Sequence, residues 1–480
     1  MRKKILIASF AILLVSILSA TGAFVFHFYY LFGNSNQLFR IRHNHFSHLE
    51  FHTDQWSYFP GELISLYISN SRGDSVQISV YEIEGKDTLI ANRKSPAFFQ
   101  SVDDSVSILG THWDVSEIID IPSDVKTGWY LIEVKNAEFK RYTSIFIKPK
   151  PENRKNRIAI LFSTNTWNAY NHWGGQSLYS RNTSHQVSFQ RPQILANPFI
   201  ENTYVNHQAY YQAANMDRHF VRLLDSAGIG YDAYSMDDLE WKYENLLAYD
   251  KLVLLTHSEY WSWNMVNHLN TCLDSGASLI ALAGNICAYV ATRDTIDRSM
   301  TVYKMKGHLW SDADTAQIRP FGTEFSYDGF HTYAPYEVLV DTSWIFAGTG
   351  LKNGDLFGKV SDVFDYTVMY DSWWENLLSL SRKGSKGAAS GQEIDKVYFH
   401  TPGNWVTIAS GLNPTELGHA EVYPDPKIQW KKNGGADMGY YKHPGGGIVF
   451  NVGSMGFTGG IGYDKSIQQM LLNLLLSGRN

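Results

Sequence analysis

The patterning of this chain changes at one place, and that change limits what it can fold into. Upstream of Lys148-Pro149-Lys150-Pro151-Glu152-Asn153-Arg154-Lys155, short apolar runs alternate at period two: Leu63–Ile68, Val76–Tyr81, Gly128–Val134 and Tyr142–Ile147. Turn residues such as Ser71-Arg72-Gly73-Asp74 separate them, so residues 49–150 read as an antiparallel, immunoglobulin-like β-sandwich. The charged segment with its two prolines reads as a linker. Downstream, strand-like runs at Ile158–Phe162, Tyr231–Tyr234, Lys251–Thr256 and Ser278–Ala283 alternate with helical stretches near Asn215–Ala227, Asp237–Leu247 and Trp263–Ser275. That alternation predicts right-handed βαβ units and a parallel sheet, an α/β class for residues 155–480. Past Arg293 it lapses, and the many short aromatic runs from Tyr303 to Tyr440 read as a β-rich insertion (about 303–440) around the active face. A last strand at Gly446–Gly453 and a helix at Ser466–Leu476 restore the α/β pattern.

The first 33 residues pose a separate question. Arg2, Lys3 and Lys4 precede an apolar run from Ile5 to Phe32, long enough to cross a bilayer. Residues 1–33 therefore predict a cytoplasmic tip and a transmembrane signal anchor, with 34–48 as a polar spacer. A cleavable signal peptide is the rival reading, since Ser19-Ala20-Thr21-Gly22-Ala23 offers small residues for a peptidase. Either way the expectation is a chain whose bulk lies outside the cytoplasm, in the cell envelope, and membrane-anchored in the first case. A net charge of −6 without a basic stripe argues against nucleic acid as a partner. Only Cys272 and Cys287 are present, too few for a disulfide framework or a cysteine-rich zinc site.

Two segments follow strand-like runs directly: Thr166-Trp167-Asn168-Ala169-Tyr170-Asn171-His172-Trp173-Gly174-Gly175 and Thr256-His257-Ser258-Glu259-Tyr260-Trp261. Open α/β sheets collect ligands beyond the carboxyl ends of their strands, so Tyr170, His172, His257 and Glu259 are candidates for one pocket. Glu259 reads equally well as a cap on the helix that starts near Trp261. Cys287 follows the strand Ser278–Ala283, where glutamine amidotransferase-like folds carry a nucleophile, yet the Gly-X-Cys-X-Gly turn is missing. A thiol nucleophile also needs a base, and His400 and His443 have no positional support for that role. The plainer reading of Cys287 is a buried structural residue.

Five motifs, in order, carry a likeness: Tyr170-Asn171-His172-Trp173-Gly174-Gly175-Gln176-Ser177-Leu178-Tyr179, Val187-Ser188-Phe189-Gln190-Arg191-Pro192, His257-Ser258-Glu259-Tyr260-Trp261-Ser262, Ala283-Gly284-Asn285, and Gly447-Ile448-Val449-Phe450-Asn451-Val452-Gly453-Ser454. Together they resemble the C-terminal region of the N,N-dimethylformamidase large (beta) subunit, over roughly Arg157 to the end. The resemblance implies a glutamine amidotransferase-like (flavodoxin-like) α/β core. In that core a mononuclear iron held by two tyrosines and a glutamate replaces the cysteine nucleophile.

By position, Tyr170 corresponds to one tyrosine ligand and Glu259 to the carboxylate. The second tyrosine falls on Phe189, which cannot ligate metal, leaving Tyr179, Tyr204, His172 or His257 as substitutes. His257 and Glu259 are the implied catalytic pair, with His257 passing a proton to the departing amine. The implied activity is metal-dependent hydrolysis of an amide-type carbon–nitrogen bond in a small molecule, by a homo-oligomer or with a small companion subunit. The alternative, suggested by Phe189 and by the 14 Trp and 29 Tyr, is a non-catalytic envelope protein that binds a glycan or peptide.

Overall fold

The computed structural model describes residues 48–478 apart from 86–87, 181–184, 200–212, 297, 305–308, 311–318, 365–385 and 413–433. Near the start, a three-stranded sheet (Leu49–Thr53, Leu63–Asn70, Glu117–Asp120) faces a five-stranded one (Ser57–Tyr58, Lys140–Ile147, Gly128–Lys135, Ser75–Glu82, Thr88–Pro96). Ile64, Leu66 and Ile68 meet Ile78, Val80, Ile132 and Val134 between them. The strands Gly128–Lys135 and Lys140–Ile147 are apolar on both faces for a reason. Tyr130, Ile132 and Ile145 point into the sandwich, whereas Trp129, Leu131 and Phe146 join the core of the following unit. There the Phe146 and Phe162 rings stack at 4.4 Å, and Trp129 lies 4.8 Å from Phe162. The sandwich is thus packed onto its neighbour through a shared apolar layer.

The nine-stranded central sheet consists of β1 (Ile158–Phe162), β2 (Asp232–Ser235), β3 (Lys251–His257), β4 (Ser278–Gly284), β5 (Tyr336–Val338), β6 (Leu356–Phe357), β7 (Val406–Gly411), β8 (Asp437–Lys442) and β9 (Ile448–Asn451), in the spatial order β2-β1-β3-β4-β9-β8-β7-β5-β6. The block β2-β1-β3-β4-β9 is parallel. From β9 onward every pairing is antiparallel. Ile158, Ile160, Phe162, Val253 and Leu255 face one core, while Ala159, Leu161, Leu252 and Leu254 face the other. Apolar cover on both faces explains the uninterrupted apolar runs. Helices α1 (Thr164–Tyr170), α2 (Ala213–Ser226), α3 (Met236–Trp241), α4 (Trp263–Asp274) and α5 (Lys465–Leu476) pack around this sheet.

The expectation of a glutamine amidotransferase-like parallel α/β sheet is corrected here. Strand outweighs helix, the described residues form six sheets, and the main sheet is mixed. The region read as an insertion contributes β5 to β8, which extend the sheet edge rather than decorate it. Short aromatic runs cannot announce such pairing, because strand register is set by partners distant in sequence. A second correction concerns the membrane anchor and the envelope location tied to it. Among the described residues no helix is long and apolar enough to cross a membrane, and residues 1–33, on which that expectation rests, lie outside the described residues. Helix Asp237–Leu247 is also two pieces, α3 and a single 3₁₀ turn at Tyr243–Leu246.

Candidate functional site

Sequence order reverses between β1 and β3, since β1 leads outward to β2 and the chain then returns to its other side. Crevices open beyond strand carboxyl ends at such a point. Two short connections fill this one. β1 leads into α1, whose last residue is Tyr170, so this tyrosine closes a buried helix rather than sitting in a loop. β3 ends at His257, and Glu259 follows it, 2 % exposed. Glu259 does not cap the next helix, because Ser262 does so by accepting the Met265 N–H. Instead the Glu259 N–H donates to Thr166 Oγ1 at 3.0 Å, and the Glu259 carbonyl accepts from Ala288 and Tyr289.

Four side chains meet there. The Tyr170 hydroxyl donates to Glu259 Oε2 at 2.9 Å. The Tyr179 hydroxyl lies 2.9 and 2.8 Å from the two Glu259 oxygens and 2.5 Å from the Tyr170 hydroxyl. Tyr260 donates to Tyr179 at 2.7 Å. Each phenol has one proton, so there are more short oxygen–oxygen contacts here than protons to fill them. Burial, and then the Glu259 charge, pushes the Tyr179 and Tyr260 hydroxyls well above the ordinary phenol range.

His257 is oriented by its Nδ1, 3.0 Å from the Gly284 carbonyl, so that Nε2 faces the Tyr170 hydroxyl at 3.3 Å and Glu259 Oε2 at 3.4 Å. Burial works against a charged imidazole, but the hydrogen bond and charge of Glu259 outweigh it and raise the His257 pKa. Burial likewise opposes the Glu259 carboxylate, whose pKa is nonetheless lowered by His257 and by the charge of Lys304. Each group of the pair thus favours the charged form of the other.

The structure brings Tyr170, His257 and Glu259 within 3.4 Å of one another. The second phenol beside Glu259 is Tyr179, one of the substitutes considered. Phe189 is elsewhere, its ring buried under the Arg293 guanidinium at 4.1 Å. His172 is half-buried in a turn where its carbonyl accepts the Gly175 N–H, and Tyr204 lies outside the described residues. Cys287 is buried at φ +57°, with its thiol pushed up by burial. His443 precedes the amino end of β9, whereas Cys287 follows the carboxyl end of β4, so these two are at opposite ends of the sheet. His400 packs on Phe399 with centroids 3.8 Å apart. No thiol–imidazole pair arises from any of them.

Sequence reasoning missed several neighbours. Lys304 Nζ sits 3.0 Å from the Tyr179 ring centroid with no hydrogen-bond partner among the described residues, and burial lowers its pKa to about 8. Nothing in its surroundings along the chain singled it out. Arg191, fully buried, donates to the carbonyls of Asn168, Trp173, Gln176 and Ser188 and so ties down the loop that delivers Tyr179. Burial lowers its pKa to about 9. Thr256 holds φ +45°, a sparse conformation for a β-branched residue, immediately before His257. Among the described residues no three His, Cys, Asp or Glu side chains gather as metal ligands. The oxygen cluster consists of phenols around one carboxylate.

With that geometry in hand, comparison with known proteins becomes informative. The family model described as "N,N-dimethylformamidase beta subunit-like, C-terminal" matches residues 84–469. The chain belongs to this family. The match begins inside the sandwich, upstream of Arg157, from which the resemblance was expected to run. A relative, the N,N-dimethylformamidase beta subunit of Paracoccus aminophilus, is 22% identical over 421 residues, covering 76% of this chain and 54% of the relative. The chain thus spans about half the length of that curated relative.

Proposed function

We propose that this chain hydrolyses an amide-type carbon–nitrogen bond in a small molecule at the pocket of Tyr170, Tyr179, His257 and Glu259. The observation that carries this reading is the convergence of two phenols on both oxygens of one buried carboxylate, in a member of a dimethylformamidase-like family. Such an all-oxygen donor set, short of protons, fits a hard and highly charged cation. Tyr170, Tyr179 and Glu259 would hold the ion, which we take to be iron. When bound, it supplies Lewis acidity and a water of lowered pKa.

The remaining work falls to the protein's own groups. His257, fixed by the Gly284 carbonyl and with its pKa raised by Glu259, is placed to carry a proton at Nε2 and give it to a departing amine. Lys304, without a hydrogen-bond partner among the described residues and beside Tyr179, offers its ammonium to an oxygen that gains charge. Tyr170 and Tyr179 stack with centroids 4.2 Å apart, which holds their two hydroxyls on the same carboxylate. Because the relative is named a beta subunit, a companion chain is part of this proposal.

Metal analysis of the purified chain, with amine release from N,N-dimethylformamide, tests it. Expected are stoichiometric iron and a tyrosinate-to-iron colour, both lost in Tyr170→Phe, together with turnover that Glu259→Gln abolishes. A colourless chain that takes up no iron would refute the metal site.

A further inference from the structure

Where the sandwich meets the α/β unit, beyond the carboxyl end of β2, a cleft of about 380 Å³ is lined by Trp56, Trp241, Lys242, Arg293 and Arg298, with Asp54, Asp237 and Asp238 among the remaining walls. The acids are already satisfied. Asp238 takes Lys148 and accepts from Ser57 at 2.6 Å and Ser235 at 2.9 Å. Asp54 accepts from the Tyr58 hydroxyl at 2.7 Å and the Ser65 N–H at 2.9 Å, and Asp237 from Arg293 at 2.6 Å. The cations are satisfied only in part, since Lys148 is taken by Asp238 and Arg293 gives its two terminal nitrogens to Asn165 and Asp237. Arg298 and Lys242 side chains have no hydrogen bond or ion pair with a described residue, and Arg293 Nε has no hydrogen-bond partner among the described residues although that side chain is only 1% exposed.

Uncommitted charge in this cleft is therefore positive, and a buried guanidinium N–H without an acceptor is costly to keep. Its acceptor has to come from outside the described residues. The planar fork of Arg298 matches an oxyanion with two oxygens, whereas Arg293 has only its Nε left to give. Trp56 and Trp241 supply flat apolar walls, and the Arg293 guanidinium lies 4.8 Å from the Trp241 ring. We infer that this cleft binds a carboxylate carried on a flat, aromatic body, with the carboxylate between the Arg298 guanidinium and the Arg293 Nε–H and the ring against the two tryptophans. The site is distinct from the tyrosine cluster, although Arg293 also donates to Asn165, whose Nδ2 reaches the Tyr260 carbonyl at 3.1 Å.

Ligand-observed NMR on the full chain tests this, with sodium benzoate as the probe and benzamide, its neutral isostere, and inorganic phosphate as comparisons. Saturable benzoate binding in the millimolar range is expected, with benzamide weaker by about tenfold or more. Arg298→Gln should weaken benzoate by a similar factor, and the exposed Lys242→Gln by less, whereas Glu259→Gln at the tyrosine site should leave it unchanged. Equal binding of benzamide overturns the inference, as does phosphate binding in place of benzoate. So does benzoate binding that survives Arg298→Gln but is lost in Glu259→Gln, because the anion would then sit among the tyrosines.

Discussion

Asp217→Asn should stabilise the protein in a strongly pH-dependent way. Asp217 lies on α2, 1% exposed, and accepts the hydroxyl proton of Thr256, which also contacts Thr458 Oγ1 at 2.7 Å. Burial raises its pKa from 3.8 to about 8, with the Thr256 hydrogen bond opposing in part. A folded-state pKa above the unfolded value means that the group's favourable contribution is full below about 3.8 and is lost as pH rises through about 8. At pH 7 the unfolded chain has released a proton that the folded chain still holds. Over roughly three pH units, at about 1.4 kcal/mol each, the upper figure is about 4 kcal/mol.

Asparagine keeps the acceptor for Thr256 and has no proton to release, so it removes this dependence. Relative to wild type, Asp217→Asn should gain about 2–4 kcal/mol between pH 4 and pH 8. For a chain of 480 residues that is a midpoint difference growing by about 2–4 °C. Thermal unfolding of both proteins at pH 4.5, 6, 7 and 8 reads it directly. A difference that stays flat across pH would refute the reasoning, and one that shrinks towards pH 8 would mean an ionised, well-paired carboxylate.

Three further outcomes are expected. Tyr179→Phe should lose iron and lower amine release on the order of a hundredfold, whereas Phe189→Tyr should change neither by more than about twofold because that ring lies under Arg293; metal analysis and turnover check both. Cys272 and Cys287, buried and with their thiols raised by that burial, should resist iodoacetamide at pH 8 until guanidinium unfolds the chain, and modification of Cys287 in native protein would revive a thiol mechanism. Lys148→Met leaves Asp238 buried without its cation at the seam between sandwich and sheet, which should cost about 3–5 kcal/mol in denaturant unfolding, while adding Asp238→Leu to it should recover much of that loss.

Part of the site was legible in the sequence. Tyr170 and Glu259 follow two apolar runs that become adjacent parallel strands, and a group just beyond such a strand end is a natural pocket candidate. The second phenol was not legible. Tyr179 lies only nine positions after Tyr170, and local spacing gives no reason for the chain to double back on itself. It does so because Arg191 binds the Trp173 and Gln176 carbonyls inside that loop and the Asn168 and Ser188 carbonyls on either side of it, an arrangement made by backbone groups that carry no sequence signal. Lys304 is in the same position, since it reaches Tyr179 from the stretch just after a strand paired far from β1 and β3.

By itself the sequence determined the sandwich strands and the β1, β3, β4, α2 and α4 segments and which residues along them are apolar, though not α1 or strands β5 to β8, because period-two and period-3.6 patterns are local properties of the backbone and the short runs carry too little of them. Tertiary structure decided what covers each apolar face. The double-sided run Gly128–Lys135 bridges sandwich and sheet, and the aromatic stretches after Tyr303 become the antiparallel half of one mixed sheet. It also decided which phenol stands beside Glu259. A pattern states that a face must be buried and leaves the partner open, since contact between segments a hundred residues apart is selected by packing and hydrogen bonding of the whole chain.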